Sequence, residues 1–352
     1  MTNSQAFPMH SAIDTIVAIP ALNEAFYIEN VIADLMTDQP HMRRAELWII
    51  DGGSIDGTRE IVGRIAASNP CVRLLHNREK IQACAVNLAA LEARRRSGVK
   101  YLVRADAHAR YPDRWIGTLI AAAEETGADS IVVPMRTCGG GPMRDASADL
   151  FNSWLGNGGS AHRSGVVRGF VDHGHHALFR LEAFLEAGGY DPRFLANEDA
   201  EFDMRLGNIG RRIFLENRAA IDYFPRDTLS GVFRQFFRNG RYRLCTSLKH
   251  GRRPGLRQLA PIFLSIGFLL SLTAGFLVHP AFALLAGFYV IGVFVASSVI
   301  ASRKTPTRIT LIAVTAITAH LAFGFGALST LLFWIGNNSL PLPGTAQPSV
   351  QQ

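Results

Sequence analysis

The chain has 352 residues, 48% hydrophobic and 18% charged, with a formal net charge of +7. That length can bury a real core in one large domain or two smaller ones, yet residues from about 259 onward carry almost no charge while the first 250 have a soluble protein's composition. Arg and Lys gather just before and between the apolar runs, which favours a membrane surface over nucleic acid as the partner.

Four scattered cysteines, Cys71, Cys84, Cys138 and Cys245, form no Cys-x-x-Cys pair. They argue against a zinc site or a disulfide framework and fit a reducing compartment. The amino end lacks a basic region followed by an apolar core, so no cleavable signal peptide is expected.

The soluble part alternates strands and helices. Residues 14–20 (DTIVAIP) read as a strand, and Ile28, Val31, Ile32, Leu35 and Met36 then recur at the spacing of one helix face. Residues 46–51 (ELWIID) form a second strand, followed by a glycine-bearing loop and a helix carrying Ile61, Val62 and Ile65. Residues 72–75, 101–103 and 130–134 are further strands, with an alanine-rich helix over 82–93. Such alternation predicts a doubly wound, mostly parallel sheet with right-handed crossovers.

Each strand end carries a polar cluster. Pro20-Ala21-Leu22-Asn23-Glu24 follows the first, where Asn23 suits a helix N-cap as well as a ligand contact. Asp51 ends the second strand, and Asp56 stands before the next helix as a cap or a ligand. Glycines 52, 53 and 57 between them permit positive φ and close approach. Asp106 and His108 follow the fourth strand two residues apart, a spacing that in extended chain turns both to one side. A carboxylate with an imidazole suits a Mn²⁺-type ion, whose remaining positions phosphate oxygens and water commonly fill. Several such clusters beyond the carboxyl ends of parallel strands describe a nucleotide crevice.

Further on, residues 168–176 (RGFVDHGHH) hold three histidines without the further ligands a zinc site needs, so an acceptor-side loop or packed turn is expected, with His175 or His176 against sugar. Residues 138–142 carry no periodic signal and are a candidate lid. Asn197-Glu198-Asp199 opens a helix bearing Phe202, Leu206 and Ile209, where acids complement the dipole and a carboxylate can be held for proton transfer. Arg205 on that helix is a candidate partner for those acids or for phosphate.

The segments IPALNEA (19–25), IIDGGSIDGT (49–58), RADAHARYP (104–112), NEDAEFDMRL (197–206) and RQFFRNGR (234–241) resemble those of inverting family-2 glycosyltransferases with the GT-A fold, and within that family the ExoA-type enzymes of succinoglycan-like exopolysaccharide assembly. The resemblance spans about residues 13–245. It implies a uridine pocket lined by Pro20, Asn23, Glu24 and Asp51, with Asp51 accepting from the base and Asp56 in the same nucleotide-sugar loop. Asp106 and His108 take the place of the Asp-x-Asp pair that grips a divalent cation (Mn²⁺ or Mg²⁺) and the diphosphate. Asp199 would be the general base, with Glu198 orienting the acceptor. Gln235 and Arg238 match a Gln-x-x-Arg element that closes over the diphosphate, although Asn239 stands where tryptophan is usual. Asn77, Gln82 and Asn87 either border the nucleotide or form a plain surface helix.

Residues 226–258 alternate Phe233, Phe236 and Phe237 with Arg234, Arg238, Arg241 and Arg243, as an interfacial helix at an anionic leaflet would. Three apolar runs follow, 259–278, 281–301 and 309–335, each long enough to cross about 30 Å of hydrocarbon. The basic residues before the first run, with Arg303, Lys304 and Arg308 between the second and third, place the catalytic domain in the cytoplasm and both the 279–280 turn and the tail outside. His320, the one ionisable side chain within a span, reads as a helix-packing hydrogen bond rather than a transport site.

The expected organisation is a catalytic domain over 1–225, an interfacial segment over 226–258, three transmembrane helices within 259–336 and a flexible tail over 337–352. The expected activity is transfer of one sugar, glucose from a UDP-sugar donor, to a polyprenyl-diphosphate-linked saccharide at the bacterial inner membrane. Direct transfer to a polyprenyl phosphate and a catalytically silent scaffold are the alternatives.

Overall fold

The computed structural model describes residues 13–158, 168–302 and 305–344. Arg303 and Lys304 therefore lie outside the described residues. Strands β1 (Thr15–Ala21), β2 (Ala45–Asp51), β3 (Val72–His76) and β4 (Tyr101–Arg104) pair in parallel in the order β3-β2-β1-β4. The sheet continues through β9 (His175–Arg180), β6 (Ser130–Val133), β10 (Ile213–Leu215) and β8 (Gly169–Val171). β9 runs antiparallel between β4 and β6, and β8 runs antiparallel at the edge. The sheet is thus mostly parallel, with β8 and β9 reversed. A small second sheet of β5 (Ala109–Arg110), β11 (Ile221–Tyr223) and β7 (Met135–Thr137) had no periodic signal to announce it.

Both faces of the main sheet are covered, which explains its nearly unbroken apolar runs. Along β1, Val17 and Ile19 face helices α1 (Ile28–Met36) and α4 (Trp115–Thr126), while Ile16 and Ala18 face α3 (Gln82–Arg94). The buried alanines 83, 85, 89, 90 and 93 bring α3 close to the sheet, so this helix is packed rather than superficial. Helix α2 (Thr58–Ser68) follows β2, and α5 (Pro142–Phe151) follows β7. Helix α6 (Glu198–Asn208) carries the Glu-Asp pair. Register aligns Ala21 with Asp51 and Ala18 with Arg104, so the polar ends of β1, β2 and β4 share one edge.

Helix α7 (Leu229–Lys249) rests against the catalytic domain, and beyond it lie α8 (Leu256–Leu277), α9 (Ala283–Ala301) and α10 (Pro306–Asn337). All three of the last are long and apolar enough to cross a membrane. Helices α8 and α9 form a hairpin, with Phe268 against Tyr289 and Ser271 Oγ donating to Phe282 O. His320 bonds Tyr289 Oη and Leu155 O, the packing role expected of it. The tail was expected on the side away from the catalytic domain, but Arg241 Nη2 donates to Pro341 O at 2.7 Å and Leu342 packs on Phe194 and Tyr242. After Asn337 the chain folds back because α7 presents a cation and an apolar floor to it.

Candidate active site

The shared edge is held by the loops themselves. Asn23 has a positive φ of 58° and does not cap α1, whose N-cap is Tyr27. Its Oδ1 instead accepts from Ile55 N, and its own N donates to Ser54 Oγ. Ala25 N donates to Asp56 Oδ2, and Asp56 Oδ1 accepts from Thr58 N and Oγ1, tying the same two loops together. Asp51 is 1% exposed and spends its carboxylate on Gly53 N and Ser54 N. Asn23, Asp51 and Asp56 therefore build the wall, and their side chains are not among those lining the cavities it bounds.

Two adjoining cavities open at this edge. One, of about 580 Å³, is lined by Pro20, Glu24, Gly52, Asn77, Lys80 and Phe194 among others. The other, of about 820 Å³, reaches His175, Asp199, Tyr223 and Gln235. Gln82, Asp106, His108, Glu198 and Arg238 border both, while Asp199 borders only the larger one. Lys80, held at φ 58°, is a cation in the first cavity that the sequence reading passed over.

Arg104 is the centre of the charge arrangement. It is 5% exposed at the end of β4, with Nη1 2.6 Å from Asp199 Oδ1 and Nη2 3.4 Å from Glu198 and 3.5 Å from Asp106. Nη1 also donates to Tyr190 Oη at 3.2 Å, and Asn87 bonds both the N and the O of Tyr190. Asn87 is thus a buried brace two steps from the acids rather than a surface residue. Gln82 Nε2 reaches Asp106 Oδ1 at 3.3 Å. The backbone N of Asp106 donates to Tyr111 Oη, whose hydroxyl donates back to Asp106 O, so the turn after β4 is pinned.

The neighbouring acids are driven apart. Burial alone would raise Asp199, but the charge of Arg104, followed by His176, His175 and His173, holds its carboxyl well below the ordinary range. Burial and then the Asp199 charge push Glu198 up. Asp106 is likewise held low against burial, first by Arg104 and then by His175. Asp199 is thus favoured in its ionised form and Glu198 in its neutral form. Asn197, at φ 56° before α6, donates to Asn239 O and so locks this pair to α7.

His108 Nδ1 meets Glu24 Oε1 at 2.9 Å. Burial lowers its pKa, but the Glu24 bond and the Asp106 charge outweigh that and raise it. A histidine tied through one ring nitrogen to a carboxylate presents the other to a ligand, as metal-binding histidines do. Among the described residues no group of three or more His, Cys, Asp or Glu is arranged to hold a metal. One carboxylate plus diphosphate oxygens and water is nonetheless a donor set that Mg²⁺ or Mn²⁺ accepts, and Asp106 offers that carboxylate.

Three further placements depart from expectation. His175 stands 3.4 Å from Asp106 and 3.8 Å from Asp199, inside the acid cluster. His176 is buried between Asp203 and Tyr190 within strand β9, where a loop or packed turn was expected. Arg205 forks onto Glu201 rather than onto Glu198 or Asp199. Gln235 Nε2 donates to Tyr223 Oη at 3.4 Å, and Arg238 donates to Leu195 O. The sequence signal for Arg104 was a charge at the end of an otherwise apolar strand. His175 had only its place in a histidine run.

Residues 16–188 match the Glycosyl transferase family 2 description. The chain is 42% identical over 325 residues to succinoglycan biosynthesis protein ExoA of Rhizobium meliloti (strain 1021), covering 92% of this chain and 96% of that protein. Its fold is similar to that of the mannosyltransferase PcManGT from Pyrobaculum calidifontis, solved with GDP-Man and Mn²⁺. The TM-score is 0.55 at 19% identity, over 92% of this chain and 88% of that one.

Proposed function

The chain belongs to glycosyltransferase family 2, and from that premise we propose that it is an inverting transferase of bacterial exopolysaccharide biosynthesis. It moves one sugar, glucose, from UDP-glucose to a saccharide carried on polyprenyl diphosphate, working at the cytoplasmic face of the inner membrane as a multi-pass protein. The observation that carries this reading is the gathering of Glu198, Asp199 and Asp106 around Arg104 at the carboxyl edge of the sheet, where the two cavities meet.

The acceptor hydroxyl gives its proton to the ionised Asp199 as its oxygen bonds to the anomeric carbon. The bond from that carbon to the diphosphate breaks, the electron pair leaves with UDP, and the configuration inverts, so an α-linked donor yields a β linkage. Glu198, beside the base, orients the acceptor. Lys80 and Arg238 face the cavities where the leaving diphosphate gathers charge. Pro20 and Glu24 border the nucleotide side, with Asn23, Asp51 and Asp56 holding its loops, and Gln235 closes the acceptor side. Asp106 with His108 would hold a divalent cation, Mn²⁺ or Mg²⁺, which would supply Lewis-acid stabilisation of the leaving group.

The test is UDP release by the detergent-solubilised protein across a panel of UDP- and GDP-sugars, with Mn²⁺, Mg²⁺ or EDTA and membrane lipid extract as acceptor. Metal-dependent turnover of UDP-glucose, lost in Asp106→Ala, is the expected result. Preference for another sugar overturns the donor assignment, and no turnover of any nucleotide sugar overturns the catalytic reading.

A further inference from the structure

Three helices are long and apolar enough to span, but the contacts of the last set it apart from the other two. Helix α10 has 32 residues and is about 48 Å long at 1.5 Å per residue, ample to cross a bilayer of about 30 Å. Its two ends would then stand on opposite sides. In the structure both ends touch the catalytic domain or the helix attached to it. Near its start, Arg308 Nε lies 2.7 Å from Asp149 and Nη1 3.2 Å from Asp145, both on α5. Beyond its end, Pro341 O accepts from Arg241. Pro343 and Gly344 then line the same cavity as Pro20, Lys80 and Gln82.

The intervening contacts keep α10 beside α7 throughout. Val232 and Phe236 pack with Ile312 and Ala316, and farther along Thr330 Oγ1 donates to Arg241 O. A β-carbon at Gly240 would collide with the Phe323 carbonyl, and one at Gly326 with the Phe237 carbonyl, so the two backbones touch. Helix α7 also presents Gln235 and Arg238 to the active cleft and carries Arg241. A crossing α10 would draw these groups into hydrocarbon, at a cost of several kcal/mol for each charge.

Burial separates the helices in the same way. Half of the most apolar stretch of α10 is buried against protein, against 11% and 17% for α8 and α9. The hairpin instead exposes Phe263, Leu270, Phe276, Phe288, Ile291 and Val295, a surface that only lipid covers without cost. We infer that the α8–α9 hairpin alone enters the bilayer, that α10 lies in the membrane plane between α7 and the hairpin, and that the carboxyl end returns to the catalytic side at the rim of the donor cavity. This does not depend on which sugar is transferred.

The test places a fluorescent reporter that matures only in the cytoplasm, or alkaline phosphatase that is active only outside it, at the amino end and separately at Gln352 of the full chain. Both ends reporting the same side is the expected result, and opposite sides overturn the inference. A second measurement uses a membrane-impermeant maleimide on Pro343→Cys, with the native cysteines replaced by alanine. Labelling in inverted vesicles and none in intact cells agrees with a carboxyl end beside a cytoplasmic catalytic domain. Labelling in intact cells overturns it.

Discussion

Replacing Arg104 by methionine tests the charge arrangement most directly, because one buried cation faces three carboxylates. The change keeps an unbranched side chain but removes the partner that lies 2.6 Å from Asp199, 3.4 Å from Glu198 and 3.5 Å from Asp106. Breaking a buried pair from one side costs about 3–5 kcal/mol, since the remaining charges stay desolvated. For a domain of this size each kcal/mol is about 2–4 °C, so the melting temperature should fall by roughly 6–20 °C in differential scanning fluorimetry. The second readout is the pH dependence of kcat. Arg104 is the first of the groups that hold Asp199 low against burial. Without it, only His176, His175 and His173 still oppose burial, and the acidic limb of the profile should move up. An Arg104→Met protein that melts as the parent does and keeps its acidic limb would refute the claim that this guanidinium sets the state of the base.

Asp199→Asn should lower kcat about 10²–10⁴-fold with little change in the donor KM, measured by UDP release. A variant that keeps its rate would point to an acceptor that is already ionised, such as a polyprenyl phosphate. Asp106→Ala should abolish the stimulation by Mn²⁺ or Mg²⁺ and reduce turnover by at least about 10²-fold, because Lewis-acid stabilisation is worth several kcal/mol. The buried His176–Asp203 pair sets a pH window for stability. The His176 pKa is lowered by burial but raised more by Asp203 and Asp199, so its contribution is whole below 6.5 and fades as pH climbs through the higher folded value. Asp203 is held below 3.8, so its contribution is present above that pH and fades as pH falls through the lower folded value. Melting temperature should therefore decline on both sides, and His176→Phe should flatten the alkaline decline while costing about 3–5 kcal/mol. Gly240→Val, which drives a side chain into the Phe323 carbonyl, should cost about 1–3 kcal/mol or more and appear as early melting of the helical layer in hydrogen exchange.

What the sequence disclosed follows from what each signal measures. Period and breaker signals located β1 to β4 and α3 to within a residue or two and found the apolar faces of α1 and α2, although α1 is capped at Tyr27 rather than at Asn23. Asp106, Glu198 and Asp199 were legible because their residue types stand at element ends, where a ligand is reachable. Arg104 was not, since its meaning lies in Glu198 and Asp199, more than ninety positions away. Asn23, Asp51 and Asp56 had the right polarity for ligands, but only geometry shows their side chains bonding each other's loops. The reversed β9, inserted between β4 and β6, is a non-local pairing that no spacing rule specifies.

Hydropathy has a similar limit with α10, because it measures how apolar a helix is and not what covers it, and so does not by itself separate a spanning helix from one lying in the membrane plane. A helix half buried against α7 and the hairpin needs apolar residues on several faces for packing alone. The consequence reaches the chemistry. Helix α7 holds Gln235 and Arg238 in the cleft on one side and α10 on the other, and packed helices sit about 8–10 Å apart. The catalytic cleft then lies roughly two helix layers from the hairpin's lipid-covered surface. Had α10 crossed the membrane, α7 and the Asn197–Asn239 bond that positions Glu198 and Asp199 would have been drawn toward hydrocarbon with it.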